Sequence, residues 1–480
     1  MEKQRIIPRG IILPFILLTT LFFAWAVPNN LTDTMLAAFK RIMSISDSKT
    51  AWIQVVCYLL GYGCFAIPSA LFIKRYTYKS GVMLGLGLYA VGALMFYPAL
   101  SFSEVNISLS FYMFLLAIFI LFTGLSFLET STNSYVCALG PEETATQRLN
   151  FAQSFNPFGA IFGVVISQIF ILSQLNTMSS TERAMIPVED LAKIQNTELT
   201  AVSFTYIIIG VAMALLLLVF LFTKMPNLKE NDKTIDFKGT FKRLTSNKNY
   251  VWGVIAQFFY VGAQIAVWSF VIRYAMQQLN LDAIIVQLGE NATSDQIMSA
   301  LRNVEPVAAA FYNFCDWIGL DSLLPRTSEQ AGATYYIMSL ILFVIARFFC
   351  TALMRFISPR KMLTALSVLA IIFCLVTIYG KGNIGVYALM GITGCMSLMF
   401  PTIYGLGIKG LGNDTKIGGA GMVMAIAGAA LLTQIQGIVS DQTGSIELAY
   451  WVPTIAFSVI AYYSAFISKN QYHKHKSVQQ

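Results

Sequence analysis

The chain has 480 residues, of which 56% are hydrophobic and only 12% charged, and its mean hydropathy is +0.65. A soluble domain carries about 25% charged residues, so too few are present here to cover a water-facing surface, and a soluble globular protein is excluded. The formal charge of +8 would suit a nucleic-acid partner in a soluble protein, but here its distribution along the chain carries the meaning.

The apolar residues fall in continuous blocks of about 20, the length at which a helix crosses a hydrocarbon core. Their lack of alternation excludes a barrel, the other structure that satisfies its backbone in lipid. The expected fold class is therefore an all-α membrane protein with twelve transmembrane helices, at 10–38, 51–73, 80–100, 109–134, 149–173, 201–223, 250–277, 333–356, 361–379, 384–406, 418–439 and 447–467.

The first block follows Lys3, Arg5 and Arg9 and ends near Ala24-Trp25-Ala26, which imitates a cleaved signal peptide. Cleavage would leave an odd number of spans and remove Trp25 from the polar run Trp25-Ala26-Val27-Pro28-Asn29-Asn30-Leu31-Thr32-Asp33. An uncleaved first helix is therefore expected. Asn30 and Asp33 are three apart and share a helix face. An acid inside a span usually serves a pathway or an internal partner, although Asp33 could equally mark the outer end of this helix, with Lys40 and Arg41 close behind.

The fourth span carries Glu129, with Asn133 one turn further on the same side. Low dielectric disfavours the ionised carboxyl, so Glu129 could load and release a proton, or it could serve as a structural partner for an arginine. The fifth span opens with Gln153 and Asn156, again i and i+3. The seventh holds Gln257, Tyr260, Gln264 and Trp268 at i, i+3, i+7 and i+11. Amides both donate and accept, which suits sugar hydroxyls, and aromatic faces suit C–H surfaces; interhelical hydrogen bonding is the plainer use of the same residues. Arg347 lies inside the eighth span and stays charged, so it needs an anion, for which Asp33 and Glu129 are the candidates. Pro28, Pro157 and Pro401 fall within or at the edge of spans and are expected to kink them.

With the amino terminus inside, 22 Lys and Arg lie on the inner side and eight on the outer, with Arg273 and Arg347 within spans. That bias places both termini in the cytoplasm. The chain divides at a polar linker, 224–249, into an N-terminal half (1–223) and a C-terminal half (250–480), the latter with a long outer loop at 278–332. The halves share a short basic second loop, and Leu139-Gly140-Pro141-Glu142 parallels Leu411-Gly412-Asn413-Asp414. Two six-helix halves in parallel imply a substrate site near the midplane and alternating access. In the long loop, Leu301, Val304 and Ala308 suggest a short amphipathic helix in a solvated insertion, with a lid as the sharper possibility. Asn291-Ala292-Thr293 matches a glycosylation tripeptide by letter only.

The seven cysteines show no metal or redox spacing and read as packing residues. The two histidines, His473 and His475, stand in the carboxy-terminal tail. A membrane enzyme would need convergent catalytic groups, and none is clustered in the sequence. A non-transporting sensor remains compatible with the same cavity.

Taken together, Asn29–Asp33, Phe127-Leu128-Glu129-Thr130-Ser131-Thr132-Asn133, Leu139–Glu142, Arg148-Leu149-Asn150-Phe151-Ala152-Gln153-Ser154-Phe155-Asn156 and Tyr260-Val261-Gly262-Ala263-Gln264 resemble the fucose permease family of the major facilitator superfamily. The resemblance runs across nearly the whole chain. It implies proton-driven uptake of L-fucose or a related monosaccharide by a monomer in the inner (plasma) membrane, with protons as coupling ion and no other cofactor, no metal and no nucleic acid. A glucose/galactose carrier or a uniporter is the nearest alternative. The family's protonatable pair matches Asp33 and Glu129, its sugar-cavity amides match Gln153 and Asn156, its first-helix Trp and Asn match Trp25 and Asn30, and its eighth-helix Arg matches Arg347. This chain departs from the family at Ser131-Thr132, at Phe400, where relatives can carry Tyr, and in the enlarged 278–332 loop.

Overall fold

The computed structural model describes residues 9–43, 53, 55–104, 106–171, 183, 185–226, 236–288, 296–300, 306–320, 325 and 328–468. Twelve helical segments among them are long and apolar enough to cross a membrane. In chain order they are Ile12–Leu31, Val55–Arg75, Tyr78–Ser101, Ile107–Ala138, Glu142–Ile166, Glu189–Phe222, Lys248–Gln278, Gln330–Leu353, Pro359–Tyr379, Asn383–Gly407, Gly412–Thr443 and Ile446–Ile467, named here spans 1 to 12. The helix of span 1 continues to Met43, and that of span 6 begins at Val188 rather than near 201.

Several spans are interrupted, four of them just ahead of a proline, whereas span 11 tightens at Ala425–Ala427 with no proline near. A proline lacks the N–H that would bond the carbonyl four residues earlier. Span 3 breaks at Met95 ahead of Pro98, span 5 at Ser154 and Phe155 ahead of Pro157, span 10 at Ser397 and Leu398 ahead of Pro401, and span 12 at Tyr450 ahead of Pro453. Pro28 does not follow the rule, because it lies within the uninterrupted helix Ile12–Met43. Span 2 opens with ten residues of π-helix, Val55–Cys64.

The residues pack as two compact units. One contains Met1–Ile255 and Tyr404–Ala430; the other contains Ala256–Ile403 and Leu431–Gln480. In the first unit, span 5 lies against span 1 through Gly159 and Gly163. A Cβ at either glycine would strike a carbonyl oxygen of span 1, that of Phe23 or Val27. Such small-residue pairs let membrane helices approach to backbone contact.

Arg148 is fully buried in this unit and closes the end of span 4. Its guanidinium donates to the carbonyls of Val136 at 2.8 Å and Cys137 at 2.6 Å and to the Thr144 hydroxyl at 3.0 Å. These are terminal carbonyls with no helical donor of their own, at the negative end of the helix dipole. Although Arg148 belongs to the basic tally of the inner loops, its charge is spent inside the fold.

The two parallel acidic loops meet within the same unit. Glu142 accepts from the Gly410 N–H at 2.9 Å, and Asp414, its repeat equivalent, accepts from Arg243 of the linker helix Phe237–Ser246 at 2.7 Å. A cavity of about 380 Å³ lies among Tyr78, Glu142, Lys409, Gly412 and Thr415.

In the second unit, the 278–332 loop carries the helices Leu281–Leu288 and Pro306–Trp317 among its described residues, and the latter buries Ala308, Tyr312 and Cys315. The Tyr312 hydroxyl meets that of Thr334 at the start of span 8, 2.9 Å away. Leu301, Val304 and the Asn291-Ala292-Thr293 tripeptide lie outside the described residues.

Candidate functional site

In the first unit, Glu129 sits deep in span 4 and is 8% exposed. Two polar side chains face its carboxyl, Asn133 one turn along the same helix and Tyr62 from the π-helical part of span 2. A π-helix widens the backbone and is common at functional sites. The Tyr62 partner was not legible in the sequence, because helical periodicity does not anticipate the extra residue per turn.

Asn133 is fully buried, and its Oδ1 accepts from Gln153 Nε2 at 2.7 Å. Asn133 Nδ2 faces the Glu129 carboxyl without closing to a well-formed hydrogen bond. The hydroxyls of Thr130 and Thr132, on either side of Ser131, are also buried without partners. Unpaired buried donors are costly, and these three lie within one turn of Glu129 along span 4.

Gln153 and Asn156 were expected to share one helix face, and Pro157 changes that. The helix stops at Gln153, whose carbonyl lies four residues before Pro157, and resumes at Asn156. Gln153 turns to Asn133 on span 4, while Asn156 Nδ2 donates to the Phe22 carbonyl of span 1 at 3.1 Å. Trp25 is buried against Phe22, with ring centroids 4.6 Å apart. Asn30 is half-buried, and its Nδ2 donates to the Ala26 carbonyl at 2.9 Å. Asp33 lies on the helix of span 1, and its side chain is outside the described residues.

In the second unit the span-7 stripe divides by depth. Gln257 and Tyr260 are fully buried, while Gln264 and Trp268 are half-buried. Both amide atoms of Gln257 and the indole N–H of Trp268 lack partners. The Tyr260 hydroxyl donates to the Met396 carbonyl at 3.0 Å. Arg347 is 3% exposed, lies over the Phe343 ring with 4.6 Å to its centroid, and donates through Nε to the Ser397 carbonyl. These backbone partners on span 10 could not be named from the sequence, although Pro401 was the signal that a carbonyl there would be left open. Gln436 of span 11, which the sequence reading did not single out, is fully buried with both amide atoms unpaired. No group of three or more potential metal ligands occurs among the described residues.

Twelve spans, interrupted helices in the membrane and unpaired polar groups buried at depth define a polytopic membrane transporter of the two-times-six kind. Residues 14–433 match the Major Facilitator Superfamily. The chain is 34% identical over 480 residues to the L-fucose-proton symporter of Haemophilus influenzae, covering 96% of this chain and 98% of that one. It is 29% identical over 453 residues to the glucose/galactose transporter of Brucella abortus, covering 94% and 93%. The crystal structure of the Escherichia coli fucose:proton symporter superposes with a TM-score of 0.78 at 34% identity, covering 95% of this chain and 99% of that one. The chain belongs to the major facilitator superfamily, within its fucose permease family.

Proposed function

We propose that this protein carries L-fucose or a closely related monosaccharide across the bacterial inner membrane by proton symport and alternating access. The observation that carries the reading is Glu129, a carboxyl buried in span 4 and faced by the polar ends of Tyr62 and Asn133. Such a group changes charge state only when water reaches it, which ties proton exchange to the opening of one side. Asp33 of span 1 is its proposed partner in carrying the proton.

In this reading Asn30, Asn133, Gln153, Asn156, Gln257 and Gln264 bond the sugar hydroxyls, and the rings of Trp25, Tyr260 and Trp268 pack against its C–H faces. Unpaired atoms on Gln257 and Trp268 support this assignment. Arg347 supplies the positive charge that a deprotonated carboxylate attracts. In each cycle a carboxylate takes a proton from the outer side, sugar binds, access switches, and sugar and proton leave to the cytoplasm. The 22-to-8 distribution of Lys and Arg supports cytoplasmic termini. The working unit in this reading is a monomer surrounded by lipid, with protons as the coupling ion and no further cofactor.

The second reading is a glucose/galactose carrier, favoured by the identity to the Brucella protein and by Phe400 at a position where family members can present a hydroxyl. The test is external pH in lightly buffered, de-energised cells given one sugar at a time. Alkalinisation with L-fucose supports the first reading; alkalinisation with glucose or galactose transfers the mechanism to the second. Labelled sugar entering with no pH change would rule out proton coupling.

A further inference from the structure

Span 10 is two helices, Asn383–Met396 and Met399–Gly407, separated by a turn at Ser397 and Leu398. In an unbroken helix each carbonyl accepts from the N–H four residues on. Pro401 has no N–H, so the Ser397 carbonyl has no helical donor. Arg347, from span 8, donates to that carbonyl instead. One residue earlier, the Met396 carbonyl accepts from the Tyr260 hydroxyl of span 7 at 3.0 Å, and the Phe400 backbone faces the same hydroxyl. The phenol therefore stands where a helical bond from Phe400 to Met396 would run, and its ring meets the Phe400 ring edge-on at 6.3 Å. A side chain inserted into the backbone ladder is one of the few physical causes of a sharp helix bend.

Two consecutive carbonyls are thus completed by side chains of two different spans. Both side chains are buried, at 0% and 3% exposure, and the Ser397 hydroxyl beside them is buried with no partner. A local helical bond cannot be exchanged without unwinding a turn. A side-chain bond to a carbonyl can be released by a rotamer change, leaving both flanking helices intact.

We propose that Tyr260 and Arg347 are positioning residues of a hinge in span 10, about which Met399–Gly407 reorients against Asn383–Met396 as access alternates. This rests on the transport reading above and adds the moving element and the groups that hold it. The hinge keeps its bend because Pro401 cannot repair the ladder and Tyr260 prevents Phe400 from doing so.

Two arms test it. The first is a cycle of Arg347→Gln, Pro401→Ala and the double variant, read by thermal unfolding of purified protein, which needs no sugar. The Pro401→Ala substitution restores a backbone N–H for the Ser397 carbonyl, so the loss caused by Arg347→Gln is expected to shrink by at least half in that background. An equal loss in both backgrounds overturns the assignment of Arg347 to the hinge. The second arm is sugar exchange by Tyr260→Phe and Pro401→Ala, each of which lets the ladder close and stiffens the bend. Turnover is expected to fall about tenfold with KM kept within about threefold, the signature of a lost conformational step rather than lost binding. A raised KM with turnover preserved would make the Tyr260 hydroxyl a hydrogen-bonding partner of the sugar rather than a brace of span 10, and overturn the hinge. Absence of exchange of any monosaccharide by the unsubstituted protein would defeat the transport reading, while the unfolding cycle would still decide the hinge.

Discussion

Arg243 and Asp414 are 171 residues apart and meet as a two-pronged pair, Nε to Oδ2 at 2.7 Å and Nη2 to Oδ1 at 2.8 Å. The Thr240 hydroxyl, one turn before Arg243, donates to the same Oδ1 at 3.0 Å. The hydrogen bond from Arg243 to Asp414 holds the guanidinium above its ordinary range, so it is charged throughout the working pH. Parallel, bidentate geometry is what distinguishes Arg from Lys at a carboxylate. The pair pins the linker helix Phe237–Ser246 to the turn that opens span 11. Asp414→Asn, which keeps size and loses charge, is expected to speed hydrogen exchange of the Gly239–Leu244 amides while leaving the global unfolding temperature within a few degrees. Because Arg243 is exposed, the unsubstituted protein should move in the same direction as salt is raised. Unchanged exchange in both experiments would mean that Thr240 and Leu244 packing alone seats the helix.

Glu129→Gln removes the titrating group and keeps an amide-sized side chain beside Tyr62 and Asn133. Uphill sugar accumulation driven by a pH gradient should be lost, while exchange of internal for external sugar persists with KM within about threefold, because exchange needs no net proton movement. Proteoliposomes loaded with sugar separate the two activities. Loss of both together would make Glu129 a structural or sugar-binding group rather than the proton carrier.

Much of the fold was readable because lipid permits so few solutions. Twelve apolar blocks gave twelve helices, and Pro157 and Pro401 marked two of the breaks. Less of the site was readable, for three physical reasons. Periodicity assumes a uniform helix, so the π-helical start of span 2 hid Tyr62, and the break before Pro157 sent Gln153 and Asn156 to different partners. Charge counting assumes that a loop arginine is solvated, yet Arg148 is buried against the carbonyls that end span 4. Lastly, a polar side chain in a span announces itself, but a backbone carbonyl does not, so the acceptors for Tyr260 and Arg347 at Met396 and Ser397 had no sequence signature beyond the proline that follows them at Pro401.

Gly159 and Gly163 set the spacing of spans 1 and 5. Since the obstructing atoms at both positions are backbone carbonyls of span 1, at Phe23 and Val27, a rotamer change cannot make room. Gly159→Ala and Gly163→Ala should each destabilise by about 1–3 kcal/mol through overpacking, and the pair by less than their sum, because one outward shift of the helix relieves both clashes. Asn156, whose amide reaches the Phe22 carbonyl at 3.1 Å, would be displaced with the helix, so KM should rise as well. Thermal unfolding and exchange kinetics on the same preparations would show both effects.

Arg183 and Glu198 form the most buried ion pair among the described residues, each side chain 2% exposed, with contacts of 2.5 and 2.8 Å between guanidinium and carboxylate. Glu198 lies ten residues into the helix that starts at Val188, and Arg183 precedes that helix. The pair therefore fastens Arg183, ahead of that helix, to the side of span 6. Removing one partner leaves the other charge covered and unpaired, which costs more than the pair contributes when intact. Arg183→Met should accordingly lower stability by about 3 kcal/mol, whereas Arg183→Met with Glu198→Leu should recover most of it. Sugar exchange should return with stability in the double variant, since neither residue belongs to the proposed sugar or proton groups. Recovery of stability without recovery of exchange would instead place this ion pair in the transport cycle.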